Sequence, residues 1–187
     1  MSAGRLLRAE ALLPVPWRNG QGITREIAVM PPGAGVGDFL WRVSLADVVG
    51  AAPFSRFPGV DRTIVLIDGA GFRMTLDGTQ VHDLTTPCVP FAFPGEAEVA
   101  VALAGGPTRD FNLMLRRGRA TGDVEVWRGP ETHRLPADLR LLHVVQGRAE
   151  TPDGILAAGD SWLPAAGAHA EIRLDGVALA VRVRAAG

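Results

Sequence analysis

Trp17-Arg18-Asn19-Gly20-Gln21-Gly22-Ile23-Thr24-Arg25-Glu26-Ile27 is the stretch on which the reading of the chain turns. An apolar anchor leads into two glycines that free the backbone, and an alternating run then carries Thr24, Arg25 and Glu26 away from the turn in strand fashion. Gly20 and Gly22 make a Gly-x-Gly, which invites comparison with a phosphate-binding loop. Such a loop needs a third glycine, a buried strand before it and a helix N-terminus after it, and none of these is present. The stretch reads instead as a tight turn entering an antiparallel sheet.

Working outward, the composition agrees with an all-β protein. The chain has 187 residues, 47% hydrophobic and 21% charged, close to globular averages. Its 23 glycines and 14 prolines fall in no low-complexity run, so they punctuate many short elements. The formal net charge is −1 and the arginines are dispersed, so no basic field for nucleic acid or membrane is expected. All 19 basic residues are arginine, which excludes lysine Schiff-base chemistry. Cys88 is the lone cysteine, read as a buried small hydrophobe; no internal disulfide can form. With no signal-peptide pattern and no apolar run of about 20 residues, a soluble cytoplasmic protein is expected.

Along the chain, residues 5–13 suit a short strand or a helical turn stopped by Pro14 and Pro16. In the segment 39–46, Phe39, Trp41, Val43 and Leu45 share one face while Arg42 and Ser44 share the other, the face that looks into a cavity in a barrel. Asp77-Gly78 marks a hairpin. Further strands are expected over 63–67, 72–76, 89–93, 99–103 and 111–115. His82 and His133 are placed in loops. The run Arg116-Arg117-Gly118-Arg119 is read as a solvated turn between two halves. The second half repeats the strand rhythm, Val144-Val145-Gln146-Gly147 matching Val65-Leu66-Ile67-Asp68-Gly69 in placement, as two related barrels would.

That rhythm resembles the cupin barrel, doubled as in a bicupin. Five motifs in order resemble the HutD/Ves family: Trp17-x-Asn19-Gly20-x-Gly22-x-Thr24-x-Glu26-Ile27, Trp41-Arg42-Val43-Ser44-x-Ala46, Pro53-Phe54-Ser55-x-Phe57-x-Gly59-x-Asp61-Arg62, Phe91-x-Phe93-x-Gly95 and Asp110-Phe111-Asn112-Leu113-Met114. The resemblance implies an all-β bicupin, two fused cupin-like antiparallel β-barrels. Residues 1–117 would form the N-terminal barrel and 118–187 a smaller C-terminal one, packed as one compact unit. It further implies a non-enzymatic accessory or regulatory role in histidine utilisation, with binding of a small acidic metabolite such as N-formylglutamate.

Cupin enzymes hold a divalent metal with histidines and a glutamate converging on one point. Here the glutamate positions, counted back from Gly69 and Gly147, carry Arg62 and Arg140, and only His143 and His169 remain in the second half. No metal and no cofactor are therefore expected. What remains is a polar set, Asn19, Thr24, Arg42, Ser44, Arg62 and Asn112, assigned as ligand-binding. Arginine presents a planar fork suited to carboxylate, and two arginines suit a ligand with two carboxylates. The competing reading pairs each arginine with an internal acid such as Glu26, Asp61 or Asp110, stitching strands together. Trp17, Trp41, Phe91 and Phe93 are read as core. An enzyme of the isomerase, epimerase or hydrolase type, using Glu26 or a histidine as base, is the alternative class, and a protein-contact scaffold a third. By analogy with bicupins a homodimer is expected.

Overall fold

Glycine and proline cut the chain into short extended segments, which the computed structural model, describing residues 4–186, resolves as strands joined by turns. In chain order these are β1 (Arg5–Leu7), β2 (Pro14–Pro16), β3 (Gly22–Met30), β4 (Trp41–Val48), β5 (Val60–Gly69), β6 (Phe72–Leu76), β7 (Gln80–Leu84) and β8 (Phe91–Pro94). They continue as β9 (Val99–Leu103), β10 (Thr108–Arg116), β11 (Ala120–Arg128), β12 (Glu131–Arg134), β13 (Leu139–Thr151), β14 (Gly154–Ala157), β15 (Ser161–Leu163) and β16 (Glu171–Ala185). A single 3-10 turn at Ala9–Ala11 is the helical element among the described residues. Residues 5–13 thus realise both forms that their sequence allowed.

Two compact units result. One comprises Leu13–Thr121 with the residues from Ala185; the other comprises residues through Leu12 and Gly122–Arg184. The chain was expected to divide at 117/118 with its first residues in the N-terminal barrel. Instead β1 pairs antiparallel with β15, and Asp160 accepts hydrogen bonds from Arg8 Nη1 at 2.6 Å and Ala9 N at 3.0 Å. A three-residue strand takes whichever open sheet edge offers it partners.

The unit that begins at Leu13 is a sandwich of a six-stranded sheet, β2-β3-β4-β10-β5-β8, and a three-stranded sheet, β7-β6-β9. Neither sheet closes on itself, so the fold is cupin-like but the expected closed barrel is an open sandwich. Alternation builds its core: Phe72, Met74 and Leu76 of β6 and Val99 and Val101 of β9 pack with Val48, Ile64, Leu66 and Phe93 from the larger sheet. At the β6–β7 hairpin Asp77 and Gly78 both take positive φ, 50° and 69°, as the Asp-Gly signal predicts.

The other unit is a seven-stranded sheet, β1-β15-β13-β16-β11, with β12 on β16 and β14 on β13. Its core holds Trp127, Leu142, Val144, Leu156, Trp162, Ile172 and Leu174. The two halves share one backbone device. Gly69 and Gly147 take φ of 86° and 77°, and a Cβ there would meet Pro107 O at 2.4 Å and Asp175 O at 2.0 Å. Both lie beside a register shift in their ladders. The matched placement read from the sequence thus reflects a shared need for glycine.

One local expectation is corrected and two are extended. His82 and His133 lie on strands β7 and β12, not in loops; the alternation there is too polar to read as strand. Pro14 and Pro16 form an edge strand, where a missing N–H is tolerated. The arginine run is an exposed turn over 117–119, as expected, but its side chains are also paired. Arg117 binds Glu96 bidentately, at 2.6 and 3.0 Å, and Asp61 at 2.8 Å. Arg116 lies over Phe39 at 5.0 Å and donates to Val36 O and Gly37 O.

Candidate functional site

The inner face of the six-stranded sheet changes character along its length. Ile64 and Leu66 of β5 feed the apolar core, but one residue pair earlier the same face presents Arg62. The ladder registers bring neighbouring polar residues alongside it. Asn112 of β10 stands opposite Ser44 of β4, which stands opposite Glu26 of β3, and Met114 stands between Arg42 and Arg62. Asp110 and Thr24 complete the next row through Ala46. Here the sheet borders a cavity of about 770 Å3, within the range of small-molecule sites. All six residues of the sequence-derived polar set, Asn19, Thr24, Arg42, Ser44, Arg62 and Asn112, line it.

The six are not equivalent. Asn19 Oδ1 accepts from Gln21 N at 3.0 Å, so its carbonyl serves its own turn. Thr24 Oγ1 accepts from Trp17 Nε1 at 2.8 Å, fixing an indole that packs against the core, as expected, and also forms a wall of the cavity. Gly22 makes this fit possible, because a Cβ there would come within 2.8 Å of the Trp17 ring. Trp41 and Phe93 are buried, and the half-buried Phe91 packs against the core, as expected. Arg42 Nε donates to Glu26 Oε2 at 2.7 Å, so at the rim the pairing with an internal acid holds. Ser44 is 4% exposed and its hydroxyl makes no hydrogen bond among the described residues.

Arg62 is different. It is 8% exposed, its guanidinium carbon lies 5.3, 5.5 and 4.8 Å from the ring centres of Phe54, Phe57 and Phe93, and its Nε has no hydrogen-bond partner among the described residues. Its one side-chain hydrogen bond among the described residues runs from Nη2 to Asn112 Oδ1, 2.9 Å. Asn112 Nδ2 donates in turn to Asp110 Oδ1, and Asp110 Oδ2 is buried without a partner. Burial lowers the Arg62 pKa to about 10, with Asp110 opposing and Arg42 adding to the fall. Burial likewise pushes the Asp110 carboxyl up to about 7, against the pull of Arg62 and Asn112 and with Asp47 adding to the rise.

Phe54, Ser55 and Phe57 also line the cavity. Their motif was legible but their role was not; two phenylalanines around a serine, five and eight residues before a strand arginine, are the signal that could have marked it. Among the described residues no histidine or cysteine lines the cavity. His143 is buried with Nδ1 2.9 Å from Ser161 Oγ, while His169 is exposed. His82 stacks on Phe91 at 3.6 Å and His133 on Trp127 at 4.1 Å. Among the described residues no three His, Cys, Asp or Glu side chains are placed to share a metal ion. The site can therefore hold a small anion by hydrogen bonds and a sheltered cation, with a carboxyl near neutrality behind them.

Comparison with known proteins gives the family and the fold. The HutD family model matches residues 9–181. An uncharacterised 21.2 kDa protein of the hutC 3′ region of Pseudomonas putida is 37% identical over 150 residues, 80% of this chain and 78% of that one. The structure of HutD from Pseudomonas fluorescens SBW25 superposes with a TM-score of 0.87 at 31% identity, covering 99% of this chain and 100% of that one. A cupin 2 conserved barrel domain protein from Leptotrichia buccalis, 10% identical, superposes with a TM-score of 0.62 over 98% of both chains; at that identity it shows the fold alone.

Proposed function

This chain belongs to the HutD family, and on that premise we propose that it is a non-enzymatic, cytoplasmic binding protein of histidine utilisation. It takes a small acidic metabolite such as N-formylglutamate into the metal-free cavity of the unit beginning at Leu13. The observation that carries this reading is Arg62, a buried cation on three phenyl faces with no direct ion pair and an unpartnered Nε. Buried charge and buried N–H groups are costly when unmatched. A ligand carboxylate supplies both the charge and the acceptor. Asn112 and the open hydroxyl of Ser44 lie beside it to orient the bound group. Arg42 is held by Glu26, so one arginine, not two, is ready for an anion. A second carboxylate on the ligand would reach Arg42 by displacing the solvent-facing Glu26.

Thermal shift and calorimetry with N-formylglutamate, glutamate, urocanate and histidine test the reading. A ligand at a hundred times its dissociation constant should stabilise the protein by about 2.7 kcal/mol. Arg62→Ala should remove that shift and keep a cooperative melt. Folded protein that responds to none of the four would sink the proposal, and steady consumption of any of them would make the protein an enzyme instead.

A further inference from the structure

Arg62 and Asp110 are buried lining residues of the cavity, joined through the side-chain amide of Asn112 and not by a direct ion pair among the described residues. Asp110 is wholly buried, and its Oδ2 has no hydrogen-bond partner. An ionised carboxylate in that position has Arg62 as its principal compensating charge. An anion bound to Arg62 claims the same charge. Two anions and one cation in a water-poor space are unfavourable, and the cheapest relief is a proton on the one that can accept it.

The neighbouring charges favour the same result. On β5 the group facing Asp110 is Arg62. On β4 it is Asp47, which repels it; Arg42 of the same strand acts on Arg62 and is held by Glu26 of β3. Asp47 is itself held by Arg25 of β3 and by Arg109 of β10, the latter at 2.5 Å, so neither of those arginines is free to replace Arg62. Arg18 stands exposed at the cavity and Arg56 is exposed, donating to Glu96 O. Arg62 with Asp110 and Arg42 with Glu26 balance each other, and the fifth charge at the cavity, Arg18, is exposed to solvent. Where the buried charges already balance, an anion enters most readily when a proton comes with it.

The geometry points to Asp110 as the proton-accepting member of the ligand site, so that a carboxylate binds at Arg62 together with one proton. This rests on the reading of the cavity as an anion site. It adds a residue that makes binding depend on pH through the protein, even for a ligand that is fully ionised throughout the range. Burial places the unliganded Asp110 near neutrality, so the proton is already present in acid and must be taken up in base. By linkage, apparent affinity is level below the pKa of the free site and falls by up to tenfold per pH unit above it.

Calorimetric titration of the wild-type protein with N-formylglutamate, glutamate, urocanate and histidine at pH 6 and pH 8, in buffers of contrasting ionisation enthalpy, tests this. For a ligand that binds, the heat at pH 8 should vary with the buffer in proportion to nearly one proton taken up, and the variation should shrink at pH 6. Asp110→Asn should bind with an affinity that no longer varies with pH and exceeds that of the wild type at pH 8. Binding with buffer-independent heat at pH 8, or a folded Asp110→Asn protein with the wild-type pH slope, overturns the inference and leaves the anion site standing. Absence of heat with all four ligands at both pH values overturns the anion site and this inference with it. The buffer series uses wild-type protein alone, so it decides the matter even if the variant fails to fold.

Discussion

Asn112 accepts from Arg62 at 2.9 Å and donates to Asp110, and it is the hydrogen-bond partner of both charged side chains. One amide therefore satisfies a cation and a carboxyl at once, from a strand position directly opposite Ser44. The consequence for stability is a contrast between cross-strand neighbours. Asn112→Ala leaves two buried charged groups without a hydrogen bond and should cost about 2–4 kcal/mol. Ser44→Ala removes a hydroxyl that bonds to nothing and should stay within about 0.5 kcal/mol. Urea unfolding of the two variants checks this; equal losses would show that Asn112 does not hold the site together.

Asp110 also sets a pH dependence of stability whose sign is opposite to that of most carboxylates. Its folded pKa is raised by burial to about 7, well above its unfolded value of 3.8. Between those values the folded state binds the proton more tightly than the unfolded state does. The contribution of this group is therefore most favourable below about pH 4, declines as pH rises, and is fully lost above about pH 7. The loss amounts to at most about 4 kcal/mol. Asp110→Asn cannot ionise, so it should gain on the wild type progressively from pH 4 to pH 8. Denaturant unfolding at several pH values checks the trend, and a difference that is flat with pH would show that Asp110 is not strained by burial.

How far the site was legible in the sequence follows from where each residue's role is decided. Arg42 and Ser44 could be placed on a cavity face because a strand alternates with period two, and the β4 alternation is unbroken from Trp41 to Ala46. Arg62, Asn112 and Thr24 followed from motifs, and the structure lines one cavity with all of them. Roles that depend on non-local packing were not legible. Phe54 and Phe57 come from a loop with no periodicity, and nothing local says that it folds over Arg62. That Arg42 is paired and Arg62 is not depends on register across β3, β4, β10 and β5, which one sequence does not encode locally. The docking of β1 on β15 spans some 150 residues and escaped for the same reason.

The Arg42–Glu26 pair at the rim gives a prediction about ligand choice. Glu26 is 44% exposed and Arg42 22% exposed, so the pair contributes at most about 1 kcal/mol to folding. Glu26→Gln should therefore leave the melting temperature nearly unchanged while freeing Arg42 for a second carboxylate. The affinity for dicarboxylates relative to monocarboxylates should rise about 3–10-fold. Paired calorimetric titrations with N-formylglutamate and with an N-formylated amino acid of uncharged side chain measure this ratio. An unchanged ratio would place the second carboxylate away from Arg42.

The glycines of the opening turn separate two physical demands that the sequence presents alike. Gly20 takes φ of +70°, yet a Cβ there would meet nothing within 4 Å; Gly20→Ala should cost only the left-handed backbone penalty, about 1 kcal/mol. Gly22 has no positive φ to protect, but a Cβ there would come within 2.7 Å of Asp47 O and 2.8 Å of the Trp17 ring. Backbone carbonyl oxygen on β4 cannot yield without breaking the β3–β4 ladder, so the indole must move or the strands must part. Gly22→Ala should accordingly cost about 2–3 kcal/mol, by the overpacking typical of tight sites. It should also lose the Trp17 to Thr24 hydrogen bond that fixes the cavity wall. Ligand affinity should then fall with Gly22→Ala and hold with Gly20→Ala. Trp17 resolved by indole NMR gives the local reading, and a Gly22→Ala protein with an unshifted Trp17 Nε1–H resonance and full affinity would remove the packing role assigned to this glycine.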